Sequence, residues 1–185
     1  MTGLVLCGGQ SSRLGFPKML IERDGFPLYQ WWTNALASVC DDVLISCTPE
    51  QTSWLKAGTV VCMDLKADQG PLMGILSAFR QHKAKALLAV SCELVYVGIK
   101  EMTELAQARD PYSMATAWMD PQTGKAYPLF TIYESNLVPD IEKELFFGKR
   151  SPSKVLADQK IHLIKFPADF RGINTREDLN NYLSI

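Results

Sequence analysis

The sequence predicts an α/β fold, a mainly parallel sheet with helices on both faces. Three observations predict it. Short apolar runs of strand length alternate with stretches whose apolar residues recur at helical spacing. The alternation holds from the N-terminus to about residue 110, an order that builds parallel sheets rather than hairpins. A loop rich in glycine follows the first run, where such a sheet offers the carboxyl ends of its strands to ligands.

Taken in order, residues 4–7 read as a buried strand, Leu-Val-Leu-Cys, stopped by Gly8 and Gly9. From Pro27 the period changes: Leu28, Trp31, Trp32, Leu36 and Val39 fall on one helical face, so the two tryptophans read as core rather than as a platform for a base. Residues 43–46 form a second strand, 49–57 a short helix ended by Gly58, and 59–62 a third strand. Leu72, Ile75, Leu76 and Phe79 mark a helix that starts at Pro71, where proline suits the first turn. Residues 87–90 are the next strand, and Ile99, Met102, Leu105 and Ala106 the next helix face.

Beyond about Tyr112 the pattern differs. Residues 114–118 and 126–133 read as strands around the turn signal Asp-Pro-Gln-Thr-Gly-Lys, which predicts antiparallel pairing. Helices follow at 138–147 and 152–157, the second with Ser151 as cap and Pro152 at its first position. Residues 161–166 form the last strand. Thr175 and Asp178 read as a capping box for the last helix. No repeat or linker divides the 185 residues, so they form one domain.

Composition excludes several classes. Net charge is −1, so no global field draws in nucleic acid or a membrane surface. No apolar stretch approaches the roughly 20 residues of a membrane span. No basic, apolar leader precedes the first strand, which suits a cytoplasmic protein. Five scattered cysteines form no CxxC pair and read as buried reduced thiols. The two histidines, His82 and His162, belong to no motif.

The chemistry sits in the glycine loop. Its spacing is neither GxGxxG nor a Walker A loop, because Phe16 and Pro17 separate Gly15 from Lys18. It still carries the parts of a phosphate site. Gly8 and Gly9 let backbone N–H groups approach a ligand. Ser11 and Ser12 add hydroxyls, Arg13 a planar fork and Lys18 a point charge.

Leu6, Gly8, Gly9, Ser11, Arg13, Gly15 and Lys18 together spell LxGGxSxRxGxxK, which resembles the signature of nucleotidyltransferases that activate sugars and cofactors. Four further segments, DQGPLMGILSAF, VSCELVY, YPLFTIY and INTREDL, follow in the order found in the molybdenum cofactor guanylyltransferase family, which the chain resembles over most of its length.

The resemblance implies a Rossmann-like three-layer α/β/α fold of the nucleotide-diphospho-sugar transferase type, with a small antiparallel extension. It implies a nucleotide-binding part at about residues 1–95 and an acceptor-side part at about 96–185. It implies transfer of GMP from GTP to the phosphate of molybdopterin with Mg2+, pyrophosphate leaving. Other molybdenum-cofactor proteins would be the partners that deliver or receive the pterin. Residue by residue, it places Leu6, Cys7, Gly8, Gly9, Lys18 and Asp64 at the nucleotide, and Arg13 and Lys18 at the reacting phosphates. Glu93 takes the place of the magnesium-binding aspartate, and Asn174 that of an acceptor-side asparagine.

The chain also departs from the family. Ser91-Cys92-Glu93-Leu94-Val95 stands for Pro-Cys-Asp-x-Pro, and Ser46-Cys47-Thr48-Pro49 lacks a guanine-holding asparagine. Tyr127 replaces a histidine, and Gly172 an asparagine. Two other readings therefore stay open: a transferase for another nucleotide or acceptor, and a nucleotide-binding descendant with a regulatory or partner-binding role.

Overall fold

The computed structural model describes residues 1–9, 13–66, 69–166 and 170–184. Strand β1 (Thr2–Leu6) is followed by a 3-10 turn at Lys18–Leu20, the ribbon strands β2 (Glu22–Arg23) and β3 (Phe26–Pro27), and helix α1 (Leu28–Leu36). Then come β4 (Asp42–Cys47), a 3-10 turn at Glu50–Trp54, β5 (Val61–Met63), α2 (Pro71–His82), β6 (Ala86–Ser91) and α3 (Ile99–Gln107). The second part holds β7 (Ala115–Met119), β8 (Ala126–Glu134), α4 (Val138–Phe146), α5 (Pro152–Ala157), β9 (Ile161–Lys165) and α6 (Arg176–Leu183).

The main sheet has the order β5-β4-β1-β6-β8-β7-β9. Among the described residues β8 alone runs against its neighbours, β6 and β7. Side chains alternate between two cores. Val5, Ile45, Leu88 and Val90 face one core with Trp32 and Leu36 of α1 and Met102 and Leu105 of α3. Leu4, Leu6, Leu44 and Leu87 face the other with Leu72, Ile75 and Phe79 of α2, Ile141 of α4 and Leu156 of α5. Strands apolar on both sides need helices on both sides, and the three layers follow. Each fully buried Leu or Phe contributes roughly 1.5–3 kcal/mol relative to exposure.

A third, smaller cluster of Leu14, Ile21, Leu28, Val95 and Ile173 lies apart, with Leu179 and Tyr182 of α6 against it. It ties the loop after β1, the segment after β6 and the C-terminal tail to one another. These are the three pieces that carry the candidate site.

Several elements differ from the sequence reading, each for a local reason. The expected helix over 49–57 is a 3-10 turn, Glu50–Trp54. There the Thr52 and Ser53 hydroxyls donate back to the Pro49 and Glu50 carbonyls, at 2.6 and 2.9 Å, and compete with α-helical bonding. Helix α1 stops at Leu36, short of Val39. Ser151 stands at the N-cap of α5, but its hydroxyl makes no cap hydrogen bond. Thr175 and Asp178 do form the reciprocal capping box. The β2–β3 ribbon, unforeseen, turns on Asp24 and Gly25, both with positive φ (51° and 78°), the Asp-Gly chemistry of a tight hairpin.

Strand β8 carries an irregularity. Ala117 pairs with Thr131 but Met119 with Ala126, so β8 bulges away from β7 between these points. Pro128 sits in the bulge and has no N–H to offer a ladder. The freed carbonyls of Tyr127 and Pro128 accept instead from Thr131 Oγ1 and Tyr133 Oη, both at 2.6 Å.

Candidate active site

A cleft of about 370 Å3 opens at the carboxyl ends of the parallel strands. Leu6, Gly8 and Gly9 form its floor beside β1. Ser46 and Thr48 close the β4 side, and Glu93 the β6 side. Asp64, Leu129 of the β8 bulge and the start of α2 at Gly70–Pro71 complete the wall. The positive end of the α2 dipole thus faces the cleft.

Packing does not require glycine at position 8. A Cβ built there meets nothing within 4 Å, and its φ is not positive. The space above it is the cleft. Gly9 has φ +118°, a conformation that side chains rarely adopt. Gly74 serves the opposite purpose: a Cβ there would lie 2.4 Å from Ser46 Oγ, so glycine lets α2 press against β4.

Lys18 gathers the site. Its turn is anchored by buried Met19, and its Nζ donates to Glu93 Oε2 at 2.7 Å and to Asn174 Oδ1 at 2.5 Å. Three residues separated by 75 and 156 positions in the chain therefore meet at one ammonium. Both members of the ion pair are largely enclosed, with side chains 17% and 19% exposed, so solvent screens the pair little.

Asn174 does two jobs. Its side-chain oxygen faces Lys18, while its backbone N–H donates to Asp178 at 2.9 Å within the α6 cap. The tail reaches Glu93 because position 172 is glycine. A Cβ at Gly172 would lie 3.0 Å from Glu93 Cγ and 3.1 Å from its carbonyl oxygen. The Ile173 N–H donates to that carbonyl at 3.0 Å.

Across the cleft, Asp64 is half-buried, and burial pushes its pKa above the ordinary aspartate value. The Ser46 hydroxyl, donating to its Oδ1 at 3.0 Å, partly offsets this. Tyr127 lies partly buried near Glu93. Burial first, and then the Glu93 carboxylate, raise its pKa. One face of its ring is stacked on Phe170 at 3.8 Å.

The structure thus brings Leu6, Gly8, Gly9, Asp64 and Glu93 into one cleft, with Lys18 and Asn174 at its Glu93 side. Cys7 is buried and adds no thiol to the cleft. Burial, followed by the neighbouring Cys92 thiol, holds its pKa well above the ordinary value. All five cysteines are free and buried. Arg13 is exposed in the loop and has no hydrogen-bond or ion-pair partner among the described residues. Ser11 and Ser12 lie outside the described residues. Trp32 is core, while Trp31 is half-buried beneath the Arg23 guanidinium, 3.7 Å from its ring centre.

Leu129 in the wall and Gln51 behind the loop complete the site without a signal in the sequence, while Ser46, Thr48 and Gly172 are marked there only as departures from the family. Their partners lie on other elements, so no periodic pattern marks them. A larger cavity, about 580 Å3, lies between α5, β9 and the β7–β8 turn. It shares Tyr127 with the surroundings of Glu93 but holds none of the residues that line the cleft.

The donor set bears on metal binding. Among the described residues no three or more His, Cys, Asp or Glu side chains converge. Glu93 and Asp64 are the carboxylates lining the cleft. One or two carboxylates that leave room for phosphate oxygens and water suit magnesium better than a metal caged by protein.

Comparison with known proteins agrees with this geometry. Residues 3–162 match the family model described as the MobA-like NTP transferase domain. The chain is 30% identical over 183 residues to a probable molybdenum cofactor guanylyltransferase of Nostoc, covering 97% of this chain and 88% of that one. It is 31% identical over 189 residues to the molybdenum cofactor guanylyltransferase of Pseudomonas aeruginosa, covering 98% and 94%. Its fold is shared with molybdopterin-guanine dinucleotide biosynthesis protein A of Archaeoglobus fulgidus, at TM-score 0.80 and 19% identity over 98% and 96% of the two chains. It is shared also with a CMP:2-keto-3-deoxy-manno-octonic acid synthetase solved with CTP, at TM-score 0.77 and 14% identity over 99% and 96%.

Proposed function

The chain belongs to the MobA-like NTP transferase family, and from that membership we propose that it transfers GMP from GTP to the terminal phosphate of molybdopterin, releasing pyrophosphate. The observation that carries this reading is the meeting of Lys18, Glu93 and Asn174 beside the glycine loop. Nucleotide-side, metal-side and acceptor-side groups converge on one cation.

The chemistry asks little of a general base. A phosphate monoester is already anionic at neutral pH. An oxygen of the acceptor phosphate forms a bond to the α-phosphorus of GTP. The bond from that phosphorus to the bridging oxygen breaks, and its electron pair leaves with pyrophosphate. The barrier lies in aligning two polyanions and offsetting their repulsion. Gly8 and Gly9 leave backbone open to the phosphates. The enclosed Lys18 ammonium lies where charge must be neutralised. Arg13, solvent-exposed in the free protein, closes on the triphosphate.

Glu93 would hold magnesium, which when bound would supply positive charge against the triphosphate. In the free protein Lys18 holds that carboxylate at 2.7 Å. Triphosphate arrival draws Lys18 toward phosphate and frees the carboxylate.

The test is pyrophosphate release with GTP, CTP, ATP and UTP side by side, each with and without molybdopterin. Release with GTP only when molybdopterin is present supports the reading. Equal or better release with another nucleotide replaces the substrate. Binding without turnover for every pair leaves a nucleotide-binding protein with another role.

A further inference from the structure

Strands β1 and β4 stay hydrogen-bonded only as far as Cys7, whose N–H donates to Ser46 O at 2.8 Å. Beyond that point the Cys7 and Gly9 carbonyls receive no backbone hydrogen bond among the described residues. One side chain takes both. Gln51 Nε2 donates to Cys7 O at 3.2 Å and to Gly9 O at 3.5 Å. Its Oε1 accepts the Thr48 N–H at 2.9 Å. The amide cannot be turned over, because two of its partners only accept and the third only donates. Gln51 is 6% exposed, so water does not replace these bonds.

We propose that Gln51 is a positioning residue for the phosphate-binding loop, standing in for the strand that the loop lacks. The proposal rests on the reading that this loop holds polyphosphate. No peptide bond of the described chain is cis. In a trans peptide the C=O and N–H point opposite ways, so drawing the Cys7 carbonyl toward Gln51 turns the Gly8 N–H away from it. Gly8 and Gly9 line the cleft, and among the described residues a Cβ built on either meets nothing within 4 Å. Glycine is the residue with most conformations to lose, so two in succession need an outside restraint to present their N–H groups in one arrangement. Gln51 supplies it from β4's turn, and its grip on Thr48 joins the loop to the far wall of the cleft.

The experiment pairs Gln51→Glu with Gln51→Leu. Gln51→Glu keeps the side-chain length and the acceptor for Thr48, but loses both donors and sets a carboxylate against two carbonyls. Hydrogen exchange of the nucleotide-free protein is expected to quicken at the Cys7 amide, which donates to Ser46 O, in both variants, with β6 unchanged. Calorimetry is expected to show GTP affinity falling tenfold or more and GMP affinity falling less than threefold, because a misaligned phosphate loop costs most where most phosphate is held. Cys7 exchange equal to the wild type overturns the proposal. Equal weakening of GTP and GMP alongside a lowered melting temperature also overturns it, since Gln51 would then be a general structural clamp. Wild-type protein that binds no nucleoside triphosphate removes the proposed function and with it any phosphate-positioning role. That failure is seen in the wild type, before any variant is compared.

Discussion

On one side of the cleft, β1, β4 and β6 run parallel and in register, Leu6 beside Ser46 and Ser91. Each delivers its site residues directly beyond its last paired position: Gly8 and Gly9, Thr48, Glu93. On the other side, β8 contributes Leu129 only through a bulge, and the tail contributes Asn174 only because Gly172 lets it lie against Glu93. Regular strands place chemistry by ending, whereas irregular ones place it by breaking their pattern. The first device is robust to side-chain changes in the strands. The second rests on single contacts of about 3 Å.

The largest expected effect breaks the link between the two sides. Lys18→Ala removes the ammonium that joins Glu93 to Asn174 and leaves an enclosed carboxylate unpaired. A preorganised donor at a charged transition state is worth on the order of 10²–10³-fold in rate. We expect kcat/KM for pyrophosphate release to fall by about that factor, with nucleotide affinity also reduced. A loss under about tenfold would remove Lys18 from the centre of the site.

Next in size is an effect on stability alone. Arg109 Nε and Nη2 clasp the buried Glu134 carboxylate at 2.7 and 2.9 Å, at the end of β8 far from the cleft. Glu134→Ala leaves the guanidinium unpaired, at a cost of about 2–3 kcal/mol. Chemical denaturation should record that loss while pyrophosphate release per folded molecule stays unchanged. A parallel loss of activity would mean that the irregular side of the sheet reports on the whole fold and not on local contacts.

Gly8→Ala tests the regular side. Its Cβ finds open space, so the melting temperature should hold within a degree or two, while nucleotide affinity drops about tenfold as the methyl group enters the cleft. Gly172→Ala tests the irregular side. Its Cβ presses on Glu93 Cγ and the backbone carbonyl, which must give by a few tenths of an ångström. Turnover should fall several-fold, roughly three to ten, with GTP affinity nearly intact, because a small misplacement costs alignment more than binding. Equal sensitivity of binding to both substitutions would erase the distinction between the two sides.

The same contrast explains what could be read from the chain. The strands around Val5, Ile45 and Val90 announce themselves as short apolar runs, because both their faces are buried, and the helices of Trp32, Ile75 and Met102 by period, because each buries one face against the sheet. Gly8, Gly9, Lys18, Asp64, Glu93 and Asn174 stood out by motif, and the fold gathers them. Gln51 did not, since its partners lie 42 and 44 positions away and a buried glutamine has no sequence signature. The β8 bulge was hidden for a different reason. A mostly apolar run over 126–133 looks the same whether or not the ladder slips, and only Pro128 marks the place. The helix expected over 49–57 gave way to local competition in the 3-10 turn at Glu50–Trp54, where Thr52 and Ser53 bond to their own turn.

The smallest expected effect concerns Asp64 and separates site from scaffold. Burial raises its pKa above the ordinary value of 3.8, with the Ser46 hydroxyl pulling the other way. A carboxyl whose folded pKa is raised binds its proton more tightly in the folded state. Its contribution is fully present below about pH 3.8 and is lost as pH rises through the higher folded value. At neutral pH the ionised, half-buried carboxylate is therefore a modest burden on the fold. Asp64→Asn should raise the melting temperature slightly at pH 7, and the gap should shrink as pH falls toward 4. Activity should move the opposite way, since the carboxylate is kept for the ligand. Thermal melts across pH 3.5–7.5 beside a pyrophosphate assay would check both. A variant less stable than the wild type at pH 7 would mean that the Ser46 hydrogen bond outweighs burial, and would make Asp64 part of the scaffold.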